Sequence, residues 1–232
     1  MAWAFEFVEV RYRAAGGGVL DGVSFGARVG EAVALVGPAE SGKTLAFRLL
    51  VGLDRADEGA VVVAGKDVAR MGARARRTLQ RRLAVVFQGD GGYGLFERAT
   101  VLENVAFPMR EVGRVPRRRL EHIARQELAR FGLEARADDR PTDLGRDGCK
   151  RLALARALAL RSPLVVIDAL EDGLAPDTRR LVVDALRAVH AERGTSLLVT
   201  TRDEHLGAAV ADKIVTLDGH GYCRSPSALI RR

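Results

Sequence analysis

The feature that most constrains this chain is a glycine-rich loop at residues 37–44, placed between a run of apolar residues and a helix-like segment. The loop and the residue after it are Gly37, Pro38, Ala39, Glu40, Ser41, Gly42, Lys43, Thr44 and Leu45. This is the Gly-x-x-x-x-Gly-Lys-Thr pattern of phosphate-binding loops, whose backbone N–H groups surround the phosphates of a nucleotide. In such loops the lysine, here Lys43, reaches the β- and γ-phosphates, and the threonine, here Thr44, binds Mg²⁺. The sequence therefore predicts a site for a nucleoside triphosphate with Mg²⁺.

An aspartate at the end of a second apolar run supplies the other half of such a site. Asp168 ends the run Leu-Val-Val-Ile-Asp at residues 164–168. A carboxylate at the end of a buried strand is the usual second anchor of the magnesium shell in proteins with this loop. Because an aspartate often simply ends a strand, the prediction of a magnesium ligand depends on the pairing of Asp168 with Lys43.

Strand-like and helix-like segments alternate along the chain. Short apolar or β-branched runs lie at 5–10, 32–36, 60–64, 83–87, 164–168, 195–200 and 213–217. Helical periodicity follows at 43–52, 117–131, 148–161, 177–193 and 204–211. Several of the apolar runs do not alternate with polar residues, which is typical of strands buried on both faces of a parallel sheet. This rhythm predicts an α/β fold with crossover helices.

The middle of the chain differs from the rest. It is rich in Arg and Glu and is interrupted by Pro108, Pro116 and Pro141. We predict a single domain over residues 1–232, in which a core of about 1–89 and 162–232 carries an inserted helical subdomain at about 90–161.

Composition narrows the class of protein. The net charge is +7, but the basic residues are spread along the chain and only 5% of residues are aromatic, so we do not expect a nucleic-acid partner. No apolar run approaches the ~18 residues of a membrane-spanning helix, and the first residues lack the layout of a signal peptide. We therefore expect a cytoplasmic protein. Cys149 and Cys223 suggest neither a disulfide framework nor a zinc site.

Further segments carry a resemblance to a known family. They are Tyr12 ahead of the loop, the hairpin-like run at 57–68, Val-Val-Phe-Gln ending in Gln88, the segment at 95–111, and the stretch from 150 to Asp168. Together with the loop, and over about residues 3–220, the chain resembles the ATPase subunits of ABC transporters. The resemblance implies a phosphate-binding-loop sheet with an antiparallel β edge and an inserted helical subdomain.

The resemblance also implies functional roles. ATP and Mg²⁺ would be the cofactors, with Tyr12 stacking on adenine and with Thr44, Gln88 and Asp168 around the metal. Gln88 would also link the site to the membrane subunit. The implied partners are integral membrane permease subunits and a second ATPase subunit, either this same chain or an active paralogue. The implied location is the cytoplasmic side of the cell membrane, as a peripheral protein.

The amino-acid sequence of one segment resembles that of a particular subfamily. Residues 103–111, together with an arginine-rich helix and a short C-terminus, look most like the Mla- and Mce-type phospholipid-transport ATPases. Methionine importers and cell-division ATPases share part of this sequence pattern.

The residue after Asp168 departs from the family pattern. There the family has a glutamate that polarises the attacking water, whereas this chain has Ala169. A methyl group accepts no proton, and loss of a positioned base typically costs ~10²–10⁴ in rate. Glu171 and Asp172 follow, but they lie past the strand end, where the family has a turn. We do not expect either to come within hydrogen-bond reach of the water.

The family signature Leu-Ser-Gly-Gly-x is altered as well. Its residues here are Leu144, Gly145, Arg146, Asp147 and Gly148. In the family these amides close over the γ-phosphate bound to the opposite subunit. We expect the carboxylate of Asp147 to compete with that phosphate at the helix N-terminus. Alternatively, Arg146 contacts the phosphate instead.

Three further departures concern nucleotide sensing and subunit contact. The switch histidine of the family aligns with Arg202, or with Thr201 by a shift of one residue, and an arginine can still hold a γ-phosphate. The aspartate of the following loop in the family is Ala175 here. Glu40 stands where the family's loop usually has glycine, and it adds negative charge near a triphosphate.

These patterns leave three functional interpretations. The first is a transporter subunit that binds ATP-Mg²⁺ and hydrolyses it slowly or not at all. The second is an active transport ATPase with substituted catalytic residues. The third is a structural pseudo-ATPase that no longer binds nucleotide.

Overall fold

The fold was established from a computed structural model that describes residues 2–89, 93–112, 116–218 and 222–228. The strands are β1 (Trp3–Arg13), β2 (Val19–Arg28), β3 (Ala32–Val36), β4 (Glu58–Val63), β5 (Lys66–Asp67), β6 (Leu83–Val86), β7 (Leu164–Ile167), β8 (Ser196–Thr201), β9 (Lys213–Leu217) and β10 (Cys223–Ala228). The helices are α1 (Lys43–Leu50), α2 (Ala73–Gln80), α3 (Val101–Val112), α4 (Arg117–Arg130), α5 (Gly145–Ala159), α6 (Pro176–Arg193) and α7 (Glu204–Val210).

The central sheet has the strand order β10-β9-β3-β8-β7-β6. Strands β9 to β6 of this order pair in parallel, and β10 adds an antiparallel edge. All residues of β3, β7 and β8 are buried, which explains why these runs are continuously apolar rather than alternating. The predicted α/β fold is confirmed.

The second sheet is antiparallel, with the order β2-β1-β4-β5. Its apolar face packs on the central sheet and on α1, and the rings of Phe7 and Phe25 stack there with centroids 4.5 Å apart. The pairing of β1 with β2 shifts register between Phe7 and Val10 and again between Val10 and Tyr12. These irregularities change which side chains of the end of β1 face the site described below.

The stretch between β6 and β7 is mainly helical in the residues described. Helices α3, α4 and α5 pack against one another, and their apolar residues join one continuous cluster with β3, β7 and α6. Buried Glu127 of α4 binds Arg193 at the end of α6, and Arg130 binds Glu192 at 2.5 Å. The insert therefore shares its hydrophobic core with the sheet. Within the described residues, no helix is both long and apolar enough to cross a membrane.

Candidate nucleotide-binding site

The glycine-rich loop joins β3 to α1 and wraps around the side chain of Lys43. The ammonium of Lys43 donates to the carbonyl oxygen of Gly37 at 2.8 Å, to that of Pro38, and to the hydroxyl of Ser41 at 3.1 Å. Burial lowers the pKa of Lys43, while the charge of Glu171 acts in the opposite direction. The ammonium is therefore held inside the loop by weak neutral acceptors that charged phosphate oxygens can replace.

Two glycines of the loop have no room for a side chain. A Cβ at Gly37 would lie 2.4 Å from the carbonyl oxygen of Leu217. At Gly42, where φ is +91°, a Cβ would lie 2.6 Å from the side chain of Leu20. The close approach at the first position and the left-handed backbone at the second explain why glycine stands at both.

Glu40 adopts a left-handed conformation, with φ of 62°, which is consistent with the glycine that the family's loop usually has there. Its side chain is exposed, so it does not fill the loop. It still lines the cavity beside the loop, where its charge faces an incoming phosphate.

Asp168 lies directly beneath the start of α1. Its carboxylate oxygen Oδ1 accepts hydrogen bonds from the hydroxyls of Thr200 at 2.6 Å and Thr44 at 3.4 Å. Burial raises the pKa of Asp168, and these two hydroxyls oppose that shift. The structure thus brings two of the predicted magnesium ligands, Thr44 and Asp168, into contact. Gln88 is exposed just after β6 and forms no hydrogen bond with another described residue.

The cavity beside the loop measures about 830 Å³. It is lined by Arg13, Gly16, Gly17, Gly18, Val19, Asp21, Glu40, Ser41, Gly42, Lys43, Thr44, Leu45 and Tyr222. Tyr12 is not among these residues; it is half-buried, and its ring packs against the cluster under the antiparallel sheet. That Tyr12 stacks on adenine stays a prediction. Arg13 and Tyr222 also line the cavity but belong to no motif in the sequence, whereas the triple glycine at 16–18 is a turn signal that the sequence shows.

A larger groove, of about 1090 Å³, opens elsewhere, between α2 and the edges of the two sheets. Its walls are mainly apolar, and none of the predicted site residues lines it. The chemistry therefore belongs to the smaller cavity at the loop.

The turn after β7 is bonded to the neighbouring strand β8. The backbone N–H of Ala169 donates to the hydroxyl of Thr200 at 2.8 Å, and that of Leu170 donates to the Thr200 carbonyl at 2.9 Å. Ala169 itself has φ of 46°, a left-handed conformation that is strained for a residue with a Cβ. Its methyl group supplies no acceptor at the position where the family has glutamate.

Arg202 and Thr201 both lie beside Glu171 of the turn. The backbone N–H and the Nε of Arg202 donate to Oε1 of Glu171 at 3.1 and 3.3 Å. The hydroxyl of Thr201 accepts from the backbone N–H of Asp203 at 3.0 Å, and it also helps to lower the pKa of Glu171. The alignment of either residue with the switch histidine stays a prediction.

The signature-like residues, Leu144 to Gly148, form the start of α5. The two charged side chains among them, Arg146 and Asp147, form hydrogen bonds with other residues of this chain. Oδ1 of Asp147 accepts from the backbone N–H of Ala175 at 2.9 Å and from the hydroxyl of Thr178, and Oδ2 accepts from Arg151 at 2.8 Å. Two donors at the start of α6 and one in α5 thus hold the carboxylate within the chain, and the competition of Asp147 with a partner's phosphate stays a prediction.

Arg146 is likewise engaged within the chain. Its guanidinium donates to Asp172 at 2.6 Å, and the hydroxyl of Tyr93 lies 3.3 Å from the same carboxylate. Arg146 thus holds the loop before α6 through Asp172, while more than half of its side chain stays exposed.

Lys150 is a buried cation that the sequence analysis did not single out. Its side chain is fully buried, and its ammonium donates to the backbone carbonyls of Asp168 at 3.2 Å and Ala169 at 2.9 Å. Burial lowers its pKa to about 8. Lys150 thus fixes the backbone of the turn that carries Asp168.

Comparisons with known proteins agree with the fold described above. The family model described as ABC transporter matches residues 20–170. A methionine import ATP-binding protein of Caulobacter vibrioides is 32% identical over 214 residues, which cover 92% of this chain and 63% of the relative. A sulfate/thiosulfate import ATP-binding protein of Burkholderia mallei is 38% identical over 205 residues, which cover 87% of this chain and 56% of the relative. The chain thus spans little more than half the length of these curated relatives.

Solved structures show the same fold. The ATP-binding cassette MJ0796, in a dimeric state bound to ADP and Pi, superposes with a TM-score of 0.85 at 24% identity, over 98% of this chain and 100% of that one. The cbiO1 protein of Clostridium perfringens, part of the cbiONQ transporter complex, gives a TM-score of 0.85 at 21% identity.

The curated relatives above are named as importers, so they do not support the predicted likeness to phospholipid-transport ATPases. The sequence at 103–111 does not identify the subfamily, because several subfamilies share it. The match of the ABC transporter model to residues 20–170, joined to the loop and Asp168, shows that the chain belongs to the ABC transporter family.

Proposed function

We propose that the chain is the nucleotide-binding subunit of an import-type ABC transporter, that it binds ATP-Mg²⁺, and that its own site hydrolyses ATP slowly. One observation carries the proposal: Thr44 and Asp168 meet beneath an intact phosphate-binding loop, while Ala169 removes the base. The residues that bind the nucleotide and Mg²⁺ are therefore retained, whereas the glutamate that usually follows Asp168 is absent.

ATP binding is supported by the way the loop is arranged. The hydrogen bonds of Lys43 to loop carbonyls and to Ser41 are bonds to neutral acceptors. Charged phosphate oxygens form stronger hydrogen bonds with an ammonium, so a triphosphate can draw Lys43 away from them. Thr44 and Asp168 would hold Mg²⁺, which supplies charge neutralisation at the β- and γ-phosphates.

Slow hydrolysis is supported by the residues around the reacting phosphate. Without a glutamate at position 169 the attacking water lacks its usual base, which by itself costs ~10²–10⁴ in rate. Arg146 and Asp147 are held within the chain, so the signature-like segment offers a second copy fewer groups for its phosphate.

The partners and substrate follow from the family and the exposed surface. Phe87 precedes Gln88, and the rings of Phe96 and Phe107 contact each other with centroids 4.4 Å apart. All three side chains are exposed, and exposed apolar patches mark protein contacts. We propose that permease subunits bind there, at the cytoplasmic face of the membrane, and that the second ATPase subunit is this chain or an active paralogue. Because the relatives above are named for import of methionine and of sulfate or thiosulfate, a small polar solute is the proposed cargo.

The test is to titrate purified protein with ATP-Mg²⁺ and to follow melting temperature and phosphate release together. Bound ATP should raise the melting temperature by mass action, and Lys43→Ala should abolish the rise. The Ala169→Glu variant should release phosphate about 10²-fold faster than the parent, because it restores a base after Asp168.

Two results would contradict the proposal. Brisk phosphate release by the parent chain, abolished in Lys43→Ala, would show an active ATPase with substituted residues. No stabilisation at millimolar ATP, either alone or with the permease subunits present, would show a structural pseudo-ATPase.

A further inference from the structure

We infer that Glu171 stands in for the missing glutamate as the base for ATP hydrolysis at this site, and that Arg202 positions it. The inference rests on the proposed function, because it requires ATP-Mg²⁺ bound at the loop. It replaces the expectation that a carboxylate past the strand end lies too far from the reacting phosphate.

The sheet topology brings the turn after β7 towards the phosphate-binding loop. Strand β8 lies between β7 and β3, and all three end at the same edge of the sheet. The two hydrogen bonds from Ala169 and Leu170 to Thr200 hold the turn over the end of β8. The residues that follow Asp168 therefore stay close to the end of β8.

Glu171 then reaches one residue beyond the end of β8. Its carboxylate binds Arg202, which follows Thr201, and Thr201 is the register partner of Val36. Val36 directly precedes Gly37, the first residue of the loop. Glu171 therefore lies at the end of the sheet from which the loop starts, beside the strand next to β3.

The side chain of Glu171 is buried and half satisfied. It is 11% exposed, and Oε1 accepts two hydrogen bonds from Arg202. The hydroxyl of Thr201 lies close enough to lower the pKa of the carboxylate, but Oε2 accepts no hydrogen bond of good geometry from the described residues. A buried acceptor without a donor is costly, so such groups in native proteins call for an explanation. A water held against a bound γ-phosphate would supply the missing donor.

The charge of Glu171 also acts on the residue that contacts the reacting phosphate. Burial and the charge of Arg202 lower the pKa of Lys43, whereas the carboxylates of Glu171 and Asp168 raise it, Glu171 more than Asp168. Lysines at this position of the loop reach the β- and γ-phosphates. Glu171 is therefore within electrostatic range of the place where the γ-phosphate binds.

The step is a hydrolysis that balances with water alone. The water oxygen forms a bond to the γ-phosphorus while the bond from that phosphorus to the bridging oxygen breaks. The bridging oxygen leaves on ADP with the electron pair, and Glu171 accepts one proton from the water and then releases it to solvent. Arg202 is a positioning residue, because it holds Oε1 and leaves Oε2 for the water.

Asp172 does not share this position. Its carboxylate is bound by Arg146 and by the hydroxyl of Tyr93. Of the two carboxylates, Glu171 is the one that binds Arg202.

The experiment is single-turnover hydrolysis of ATP-Mg²⁺, with affinity for a fluorescent ATP analogue measured in parallel. We expect Glu171→Gln to slow hydrolysis by ~10²-fold or more while analogue affinity stays within about twofold. The matched control is Glu204→Gln, which makes the same change at an exposed glutamate two residues beyond Arg202 and should leave the rate unchanged.

A second background separates a base from a merely structural residue. In Ala169→Glu protein, the restored glutamate should make Glu171→Gln nearly neutral, within about threefold, because only one base is needed. In the parent background, Arg202→Gln should move the acid limb of the rate profile to higher pH, since loss of an adjacent cation raises the pKa of a carboxylate.

Equal rates for the parent and Glu171→Gln would overturn the inference. So would a parent that binds the analogue but hydrolyses no ATP, and in that case the proposed nucleotide-binding function would stand. Failure of the parent to bind the analogue would instead contradict the proposed function itself.

Discussion

The buried ammonium of Lys150 predicts an unusual dependence of stability on pH. Burial lowers its pKa from an ordinary 10.5 to about 8 in the folded chain. Between these two values the unfolded chain binds a proton that the folded chain does not, so the free energy of unfolding rises with pH. Below about pH 8 both states are protonated, and the dependence disappears.

The magnitude follows from the size of the shift. Each pKa unit corresponds to about 1.4 kcal/mol, so the whole shift is worth about 3 kcal/mol. Raising the pH from 7.5 to 10 covers most of that window and should add about 2 kcal/mol to the unfolding free energy of the parent, relative to a chain without the lysine.

The matched variant is Lys150→Met, which fills the same space without a titrating group. Urea unfolding of both proteins at pH 7.5, 8.5, 9.3 and 10 gives the difference in unfolding free energy at each pH. Tyrosines and the remaining lysines titrate in both proteins, so their contributions cancel in that difference. Parallel pH curves for parent and variant, or a parent that loses stability relative to the variant as pH rises, would refute the reasoning.

Two further predictions concern buried polar groups that hold segments together. Asp147→Ala should lower the unfolding free energy by about 1–3 kcal/mol, because it removes an acceptor from the first turn of α6 and from Arg151. Urea unfolding measures this loss, and a change below about 0.5 kcal/mol would contradict the prediction. Asn104 is fully buried, and its amide binds the backbone of Phe96 in both directions and the Thr100 carbonyl, so Asn104→Ala should cost about 2–3 kcal/mol. The same measurement on exposed Arg110→Ala is the control, and equal small changes would show that the Asn104 bonds contribute nothing.

Much of the fold could be predicted because strands buried on both faces appear in the sequence as continuous apolar runs. The runs at 32–36, 164–168 and 195–200 are apolar throughout, and each forms a central strand. Strand β2 was missed because its sequence mixes glycine and polar residues, and α2 was missed because its arginines hide any apolar face.

The site was harder to predict where backbone details decide which way a side chain points. Alternation along a regular strand assigns faces by counting, but the register shifts on either side of Val10 break the count before Tyr12. Similarly, the sequence shows that Glu171 lies past the end of β7, yet not that two bonds to Thr200 keep the turn over β8. The position of Arg146 depends in the same way on its long-range contact with Asp172.

The contacts of Asp147 have a consequence for how the chain opens. Because one carboxylate joins Arg151 in α5 to Ala175 and Thr178 at the start of α6, these two helix starts cannot separate without exposing it. They should therefore belong to one cooperative unit in native-state hydrogen exchange, and their protected amides should exchange with the same opening free energy.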